Sequence, residues 1–441
     1  MSQRRVRLTA VSLAATAIAA VALVAVPATG SLASSRGSAS APRAATPLLA
    51  GRGVMRVCGI KGLVASRCLA EVLTVRPGST IVLSTPAPAG YGPATLARAY
   101  SLPKPTVGDV GTVVILDEGA DPNLESDLNT YRSTYGLPAC TTANGCFAQY
   151  NEHGGTPLAP SKSRIGKEFD EEVGVETSLD VDMASAACPT CHIIELTVNR
   201  DIFSSNDKAA SDFGPAVDTA AKLGASSVSI SYQFAPDATL DLGPVAGDFF
   251  HPGMAITSSS GDGGYEGAPD GWPQDLPDVT SVGGTSLYTT GKNTFEEVGW
   301  DYGGSGCATD LGPAIGQPAT VSAACNGLRA STDVSADADP NTGVAVYDSY
   351  APFSHQPYGW IVVGGTSVSS PFIAGLYARA GNLTQVEGPN TLYGDPAKDF
   401  NDITAGSNYY PGGCTPAVIC TAGPGWDGPT GRGTPHGLGG F

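Results

Sequence analysis

Charge is scarce in this chain of 441 residues: 15% are Asp, Glu, Lys or Arg, and 24 basic residues stand against 41 acidic ones. A net charge of −17 argues against nucleic acid as a partner, because phosphate contacts need clustered Lys and Arg. Histidine is also rare, so an imidazole base would have to be one of His153, His192, His251, His355 or His436. No internal repeat is evident. Long apolar runs are missing too, with one exception at the N-terminus.

That exception is a leader pattern. Arg4, Arg5 and Arg7 precede an Ala-rich apolar stretch from Leu8 to Val26, and small residues follow as Ser31-Leu32-Ala33. A positive start, an apolar middle and an A-x-A-like end read as a signal peptide over residues 1–33. A membrane anchor is the competing reading, but the run is Ala-rich and the cleavage pattern follows at once. Cleavage would remove three arginines and no acids, taking the net charge to −20. The mature chain is therefore expected to be secreted, without stable membrane association. So acidic and sparsely charged a surface loses negative charge as pH falls and gains little positive repulsion.

Ten cysteines fall in close pairs: Cys58/Cys68, Cys140/Cys146, Cys188/Cys191, Cys307/Cys325 and Cys414/Cys420. In an exported chain an even count reads as disulfides, and neighbour pairing would close five small loops. Cys188-Pro189-Thr190-Cys191-His192 also fits the pattern of c-type haem attachment. Pro189 and the strand pattern behind it read instead as a helix stop and a disulfide turn.

Residues 34–88 divide into a Ser/Ala/Pro-rich linker and a short pro-segment or N-terminal extension, with a strand-like run at Ser79–Leu83. From residue 89 to 441, apolar strand patterns alternate with amphipathic helices. Val110–Leu116, His192–Val198, Ser227–Tyr232, Met254–Ser258, Val279–Val282 and Trp360–Val363 read as strands. Helical spacing joins Leu124, Leu128, Tyr131 and Tyr135, and again Phe213, Val217 and Ala220. This alternation predicts an α/β fold, a doubly wound and mostly parallel sheet flanked by helices. Its sites belong at the carboxyl ends of strands.

The chemistry gathers in three segments. Gly364-Gly365-Thr366-Ser367-Val368-Ser369-Ser370-Pro371 leaves a strand and enters a helix, so Ser367 would sit beside free backbone N–H groups. A plain helix cap is the ordinary alternative. Gly283-Gly284-Thr285-Ser286 repeats the first four letters but continues as Leu287-Tyr288-Thr289-Thr290, without the helix. Glu176 and Asp180 lie four residues apart on a helix whose apolar stripe is Val175, Leu179, Met183 and Ala186. Alone, that segment reads as a solvated acidic face, with a catalytic carboxyl pair as the alternative. Asp262 follows a strand in a glycine-rich loop. It reads as an Asx turn, or as a carboxyl that donates to an oxyanion when protonated. His153 stands in a polar loop and reads as a solvated histidine.

Together and in this order, Glu176-x-x-x-Asp180, Ser260-Gly261-Asp262-x-Gly264 and Gly365-Thr366-Ser367-x-Ser369-x-Pro371 resemble the three signature motifs of the sedolisins, over about residues 89–441. The resemblance implies a subtilisin-like fold and a serine-type endopeptidase acting on protein or peptide substrates. It implies Ser367 as nucleophile, Glu176 as general base, Asp180 orienting it and Asp262 completing the oxyanion hole. Near the C-terminus, Asn401–Gly406 and Ala422–Asp427 are similar to the two arms of the family's calcium site. One structural Ca2+ is thereby expected on Asp402 and Asp427, with the carbonyls of Ile403, Gly423 and Gly425.

The chain departs from the family in two places. Little more than 50 residues separate leader and catalytic region, where the family carries a large pro-domain. Gln233 stands where the family commonly has Gly. The expected product is a monomeric acid endopeptidase, for which a carboxylate base suits acid pH. A His153-based protease and a catalytically silent exported binding protein of the same fold are the alternatives.

Overall fold

The apolar run Val113–Leu116 is wholly buried, because it forms the middle of a sheet covered on both faces. The structure is a computed structural model and describes residues 52–58, 67–79, 81–106, 108, 110–200, 206–234, 246–265, 271–351, 358–408 and 413–441. The leader expected over residues 1–33 lies outside them. All belong to the unit Ala45–Phe441. No helix among the described residues is long and apolar enough to cross a membrane.

The chain begins with β1 (Gly53–Arg56), β2 (Arg67–Cys68) and β3 (Glu71–Thr74). Then come α1 (Pro93–Ala99), β4 (Thr112–Glu118), α2 (Leu124–Tyr135), β5 (Phe147–Asn151), α3 (Arg164–Ala187) and β6 (His192–Val198). They are followed by α4 (Asn206–Lys222), β7 (Ser227–Ile230), β8 (Tyr232–Gln233), β9 (Ala255–Ser259), β10 (Thr280–Gly291) and β11 (Thr294–Gly299). After two short strands, β12 (Gly306–Cys307) and β13 (Ala330–Ser331), the chain runs through β14 (Val334–Asp337), β15 (Val344–Asp348) and β16 (Gly359–Gly364) into α5 (Thr366–Ala380).

The main sheet has the order β5-β6-β4-β7-β9-β10, with β11 and β14 both on β10. Every pairing in it is parallel except β10 with β11. The expected doubly wound α/β sheet is present. A second sheet, β1-β3-β16-β15, is antiparallel and includes the N-terminal strands. Residues 71–74 are thus part of the fold, and a boundary at 88 divides one sheet. Of the expected strand Ser79–Leu83, Thr80 lies outside the described residues, and the others contribute an isolated bridge, Thr74 to Val82, rather than a strand. Ile81 is 65% exposed, so its apolar side chain has no face to bury.

All five cysteine pairs close as disulfides between neighbours. Cys188 and Cys191 are bonded to each other, which leaves no thiols for haem attachment.

Two buried helices set the site. The Ser163 hydroxyl caps α3 by accepting from the Gly166 N–H at 3.0 Å, satisfying one orphan donor. Beyond its first turns α3 is buried all round. A Cβ on Gly375 of α5 would stand 2.6 Å from the Ala187 Cβ of α3. Only glycine lets the two helices approach this closely.

Candidate active site

β16 ends at Gly364, and Gly365 has φ of 99°, left-handed backbone that glycine adopts freely. The chain turns there and enters α5, placing Ser367 in its first turn. N–H groups in a first helical turn have no partner within the helix. Ser367 is 0% exposed, and its hydroxyl completes no hydrogen bond of full geometry.

Glu176 comes to the same place from the middle of α3. Neither of its carboxyl oxygens completes a hydrogen bond of full geometry, yet the Ser367 hydroxyl and the Ala70 N–H both face it closely enough to favour its charged form. Burial outweighs them and pushes the Glu176 carboxyl well above its usual range, with Asp117 and Asp262 adding repulsion. Asp180, one turn on, accepts from the Ser231 hydroxyl at 3.0 Å. Burial raises it too, and then the charges of Asp117 and Glu176. Both acids are 0% exposed, so the solvated acidic face is ruled out.

Asp262 follows β9. One carboxyl oxygen accepts from the Thr366 N–H and hydroxyl, each at 2.8 Å; the other has no hydrogen-bond partner. Burial, then Glu71, holds this carboxyl well above its ordinary range. A protonated Asp262 would carry a donor toward the space beside Ser367. A Cβ on Gly365 would stand 2.7 Å from the Asp262 Oδ2.

Asp117 was not singled out from the sequence. It lies near the end of β4, between Glu176 and Asp180 in its influence on both, and burial pushes it up to about 7. Glu176 is repelled by Asp117 and Asp262, and Asp180 by Asp117 and Glu176, so these carboxyls cannot all be charged at once. An acid ending a buried parallel strand was the available signal. Leu69 and Ala70 were missed as well, and nothing in their local sequence marks them.

The described histidines are engaged elsewhere. His153 is exposed, 3.9 Å from Glu152 on the loop after edge strand β5. His251 meets Asp218 at 3.0 Å, His436 faces the Lys398 carbonyl at 3.1 Å, and His192 is exposed at the start of β6.

The C-terminal loops bring Asp402 and Asp427 together. Asp402 accepts from the Gly425 N–H at 3.1 Å. Asp427, 0% exposed, accepts from Gly423 N–H at 2.8 Å and Thr430 N–H at 2.9 Å. Burial is the main cause that raises Asp427 to about 6, and Asp402 adds repulsion. Neither has a basic partner among the described residues. Two adjacent carboxylates in glycine-rich loops, with carbonyls to hand, fit a hard cation that takes oxygen ligands. A different group, Asp121, Asp127 and Asp348, has carboxyl oxygens within 4.8 Å of one another and could also hold a metal ion.

Ser367 is thus presented at a strand–turn–helix junction of a mostly parallel α/β sheet, with the Glu176 carboxyl facing it. No family model matches the chain. It is 29% identical over 381 residues to kumamolisin from Bacillus sp. (strain MN-32), covering 80% of this chain and 63% of that protein. It is 35% identical over 214 residues to sedolisin from Pseudomonas sp. (strain 101), covering 41% of this chain and 33% of that protein. The chain thus spans less than two thirds of the length of these relatives. The solved structure of Pseudomonas sedolisin, a serine-carboxyl proteinase complexed with two molecules of pseudo-iodotyrostatin, superposes with a TM-score of 0.62 at 24% identity. That match covers 79% of this chain and 96% of that one. The chain is thus similar in sequence to kumamolisin and sedolisin and has the fold of the sedolisin structure.

Proposed function

We propose that this chain is an exported endopeptidase that hydrolyses peptide bonds in protein substrates at acid pH, with residues 89–441 as its catalytic region. The observation that supports this reading is the buried Ser367 hydroxyl facing the Glu176 carboxyl, with Asp262 bonded to the adjacent Thr366. Ser367 attacks the substrate carbonyl, and Glu176 takes its proton. Asp180 and Asp117 hold Glu176 in a proton-sharing group. The Ser367 N–H and a protonated Asp262 stabilise the oxyanion, and Glu176 returns the proton to the leaving amine.

Acid pH suits this machinery because Asp262 must keep its proton in order to donate, and burial holds that carboxyl well above its ordinary range. The leader pattern and the five disulfides support export. Asp402, Asp427 and the carbonyls of Ile403, Gly423 and Gly425 would hold one Ca2+, which when bound supplies cross-linking of the two C-terminal loops rather than chemistry.

The test is hydrolysis of a denatured protein from pH 2 to pH 8 by the exported wild type and Ser367→Ala. Activity confined to acid pH and lost in the variant is expected. A neutral optimum abolished by His153→Ala would move the base to histidine. No activity in a calcium-loaded, correctly processed sample would make the chain a binding protein.

A further inference from the structure

A second group of buried carboxyls lies where the turn after β4, the start of α2 and the end of β15 pack against α3. Asp121 stands in that turn, Asp127 in the first turn of α2, and Asp348 is the last residue of β15. Each offers a carboxyl oxygen, and these oxygens lie within 4.8 Å of one another. The catalytic reading uses none of them. No described Lys or Arg forms an ion pair with any of the three.

Neutral donors hold one oxygen of two of these groups. Asp121 accepts from the Asn123 N–H and Asp348 from the Tyr350 N–H, each at 2.8 Å. Asp127 accepts from the Ser349 N–H and hydroxyl, both at 2.7 Å. The other oxygen of Asp348, Oδ2, has no hydrogen-bond partner although the residue is 0% exposed. Burial raises this carboxyl first and the charge of Asp121 next, with Asp127 and Glu171 adding repulsion. Asp121, 5% exposed, completes no hydrogen bond of full geometry at its own Oδ2, although the Ser178 hydroxyl faces that carboxyl. A buried carboxylate oxygen without a partner has given up water and gained nothing in return.

One cation would supply the missing partner and relieve the repulsion together. The fold keeps room beside it: a Cβ on Gly174 of α3 would stand 3.1 Å from the Tyr350 Cδ1 and 3.9 Å from the Asp121 Cγ. Glycine weakens a helix interior, so its place here fits a need for space. Ca2+ binds oxygens at about 2.3–2.6 Å, so ligands on opposite sides of it stand about 4.6–5.2 Å apart. Mg2+, at about 2.0–2.1 Å, would need them within about 4.2 Å. The limit of 4.8 Å among these oxygens falls in the calcium range. We propose that Asp121, Asp127 and Asp348 bind one Ca2+, at a site separate from that of Asp402 and Asp427.

Asp348 belongs to the antiparallel sheet, whereas Asp121 and Asp127 follow β4 of the main sheet. The ion therefore ties the end of β15 to the turn between β4 and α2, and water completes its shell. Without it, the three carboxyls cannot all be charged, and protons take its place. This role is structural and does not depend on the peptidase reading.

The full chain is stripped of metal with a chelator and dialysed against Ca2+ at neutral pH; bound ions per chain and Tm are then measured. Wild type is expected to bind one ion more than Asp348→Asn, and Asp402→Asn is expected to keep that ion. Calcium should raise the Tm of Asp402→Asn by a few degrees. That rise should vanish when Asp348→Asn is added. In chelator, Asp348→Asn should melt at or above wild type, because it removes a charge from a crowded group. Equal ion counts in wild type and Asp348→Asn overturn the site. An Asp348→Asn chain as destabilised in chelator as in calcium also overturns it, since the carboxyl would then serve the fold alone. Mg2+ bound as tightly as Ca2+ overturns the calcium assignment. Circular dichroism of Asp348→Asn in chelator separates loss of the ion from loss of the fold.

Discussion

Gly283-Gly284-Thr285-Ser286 and Gly364-Gly365-Thr366-Ser367 are the same four residues, and both serines are buried. The first stays in β10, where Leu287-Tyr288-Thr289 goes on pairing with β11. Its Ser286 hydroxyl is consumed by a 2.8 Å bond to Asp339. The second leaves β16 through the left-handed Gly365 and enters a helix. Pro371, lacking an N–H, cannot bond back to the Ser367 carbonyl. Its serine hydroxyl faces Glu176 without a bond of full geometry, and its aspartate, Asp262, bonds Thr366 instead. The residues after the tetrapeptide thus decide whether its serine is tied to an aspartate within a sheet or presented to Glu176 at the start of a helix.

The largest contrast should come from the serines themselves. Ser367→Ala should lower hydrolysis of a denatured protein by at least about 1,000-fold, whereas Ser286→Ala should stay within about twofold of wild type in steady-state assays. The aspartates come next. Asp262→Ala should lose about 100- to 1,000-fold in kcat, the usual cost of an oxyanion donor. Asp262→Asn should recover part of this and extend activity to higher pH, because an amide donates without needing a proton. Asp339→Ala should leave the rate intact and lower stability by about 1–3 kcal/mol.

Stability should sharpen the comparison through pH. Asp117 at about 7 and Asp121 at about 8 hold protons in the fold that the unfolded chain releases near its ordinary value of 3.8. The folded form therefore binds more protons between those limits. Its stability is complete below about pH 4 and is lost as pH rises toward 8. Calorimetry should show Tm falling by roughly 10 °C over that window; a Tm that rises from pH 4 to pH 8 would contradict the buried-acid account. The smallest effect belongs to the C-terminal loops. Chelation, or Asp402→Asn, should lower Tm by a few degrees, about what loss of a bound ion at a hundred times its Kd removes. No shift on chelation would remove calcium from the account.

Much of this was legible in the chain. Buried parallel strands write themselves as apolar runs, so His192–Val198 appears with its boundaries intact, and the helix stripe through Val175, Leu179 and Met183 marks α3. Neighbour spacing anticipated the five disulfides. The acidic row of Glu176 and Asp180 was ambiguous because one amphipathic pattern cannot say what packs on its polar side. In the structure that side meets α5 and β4, and both acids are buried. Ser79–Leu83 misled because an apolar run carries no record of whether a covering face exists. The placement of Leu69-Ala70 was invisible for a different reason. It depends on β2 and β3 meeting β8 and β16, pairings separated by well over 100 residues.

The central claim is that carboxyls, not an imidazole, serve Ser367. Its most direct test is the pH dependence of kcat/KM for an unstructured peptide from pH 2 to pH 8, for wild type and Glu176→Gln. A profile that falls away as pH approaches neutrality, and that collapses in Glu176→Gln, is the predicted result. A rate that rises through pH 6–7 and survives the substitution would contradict it.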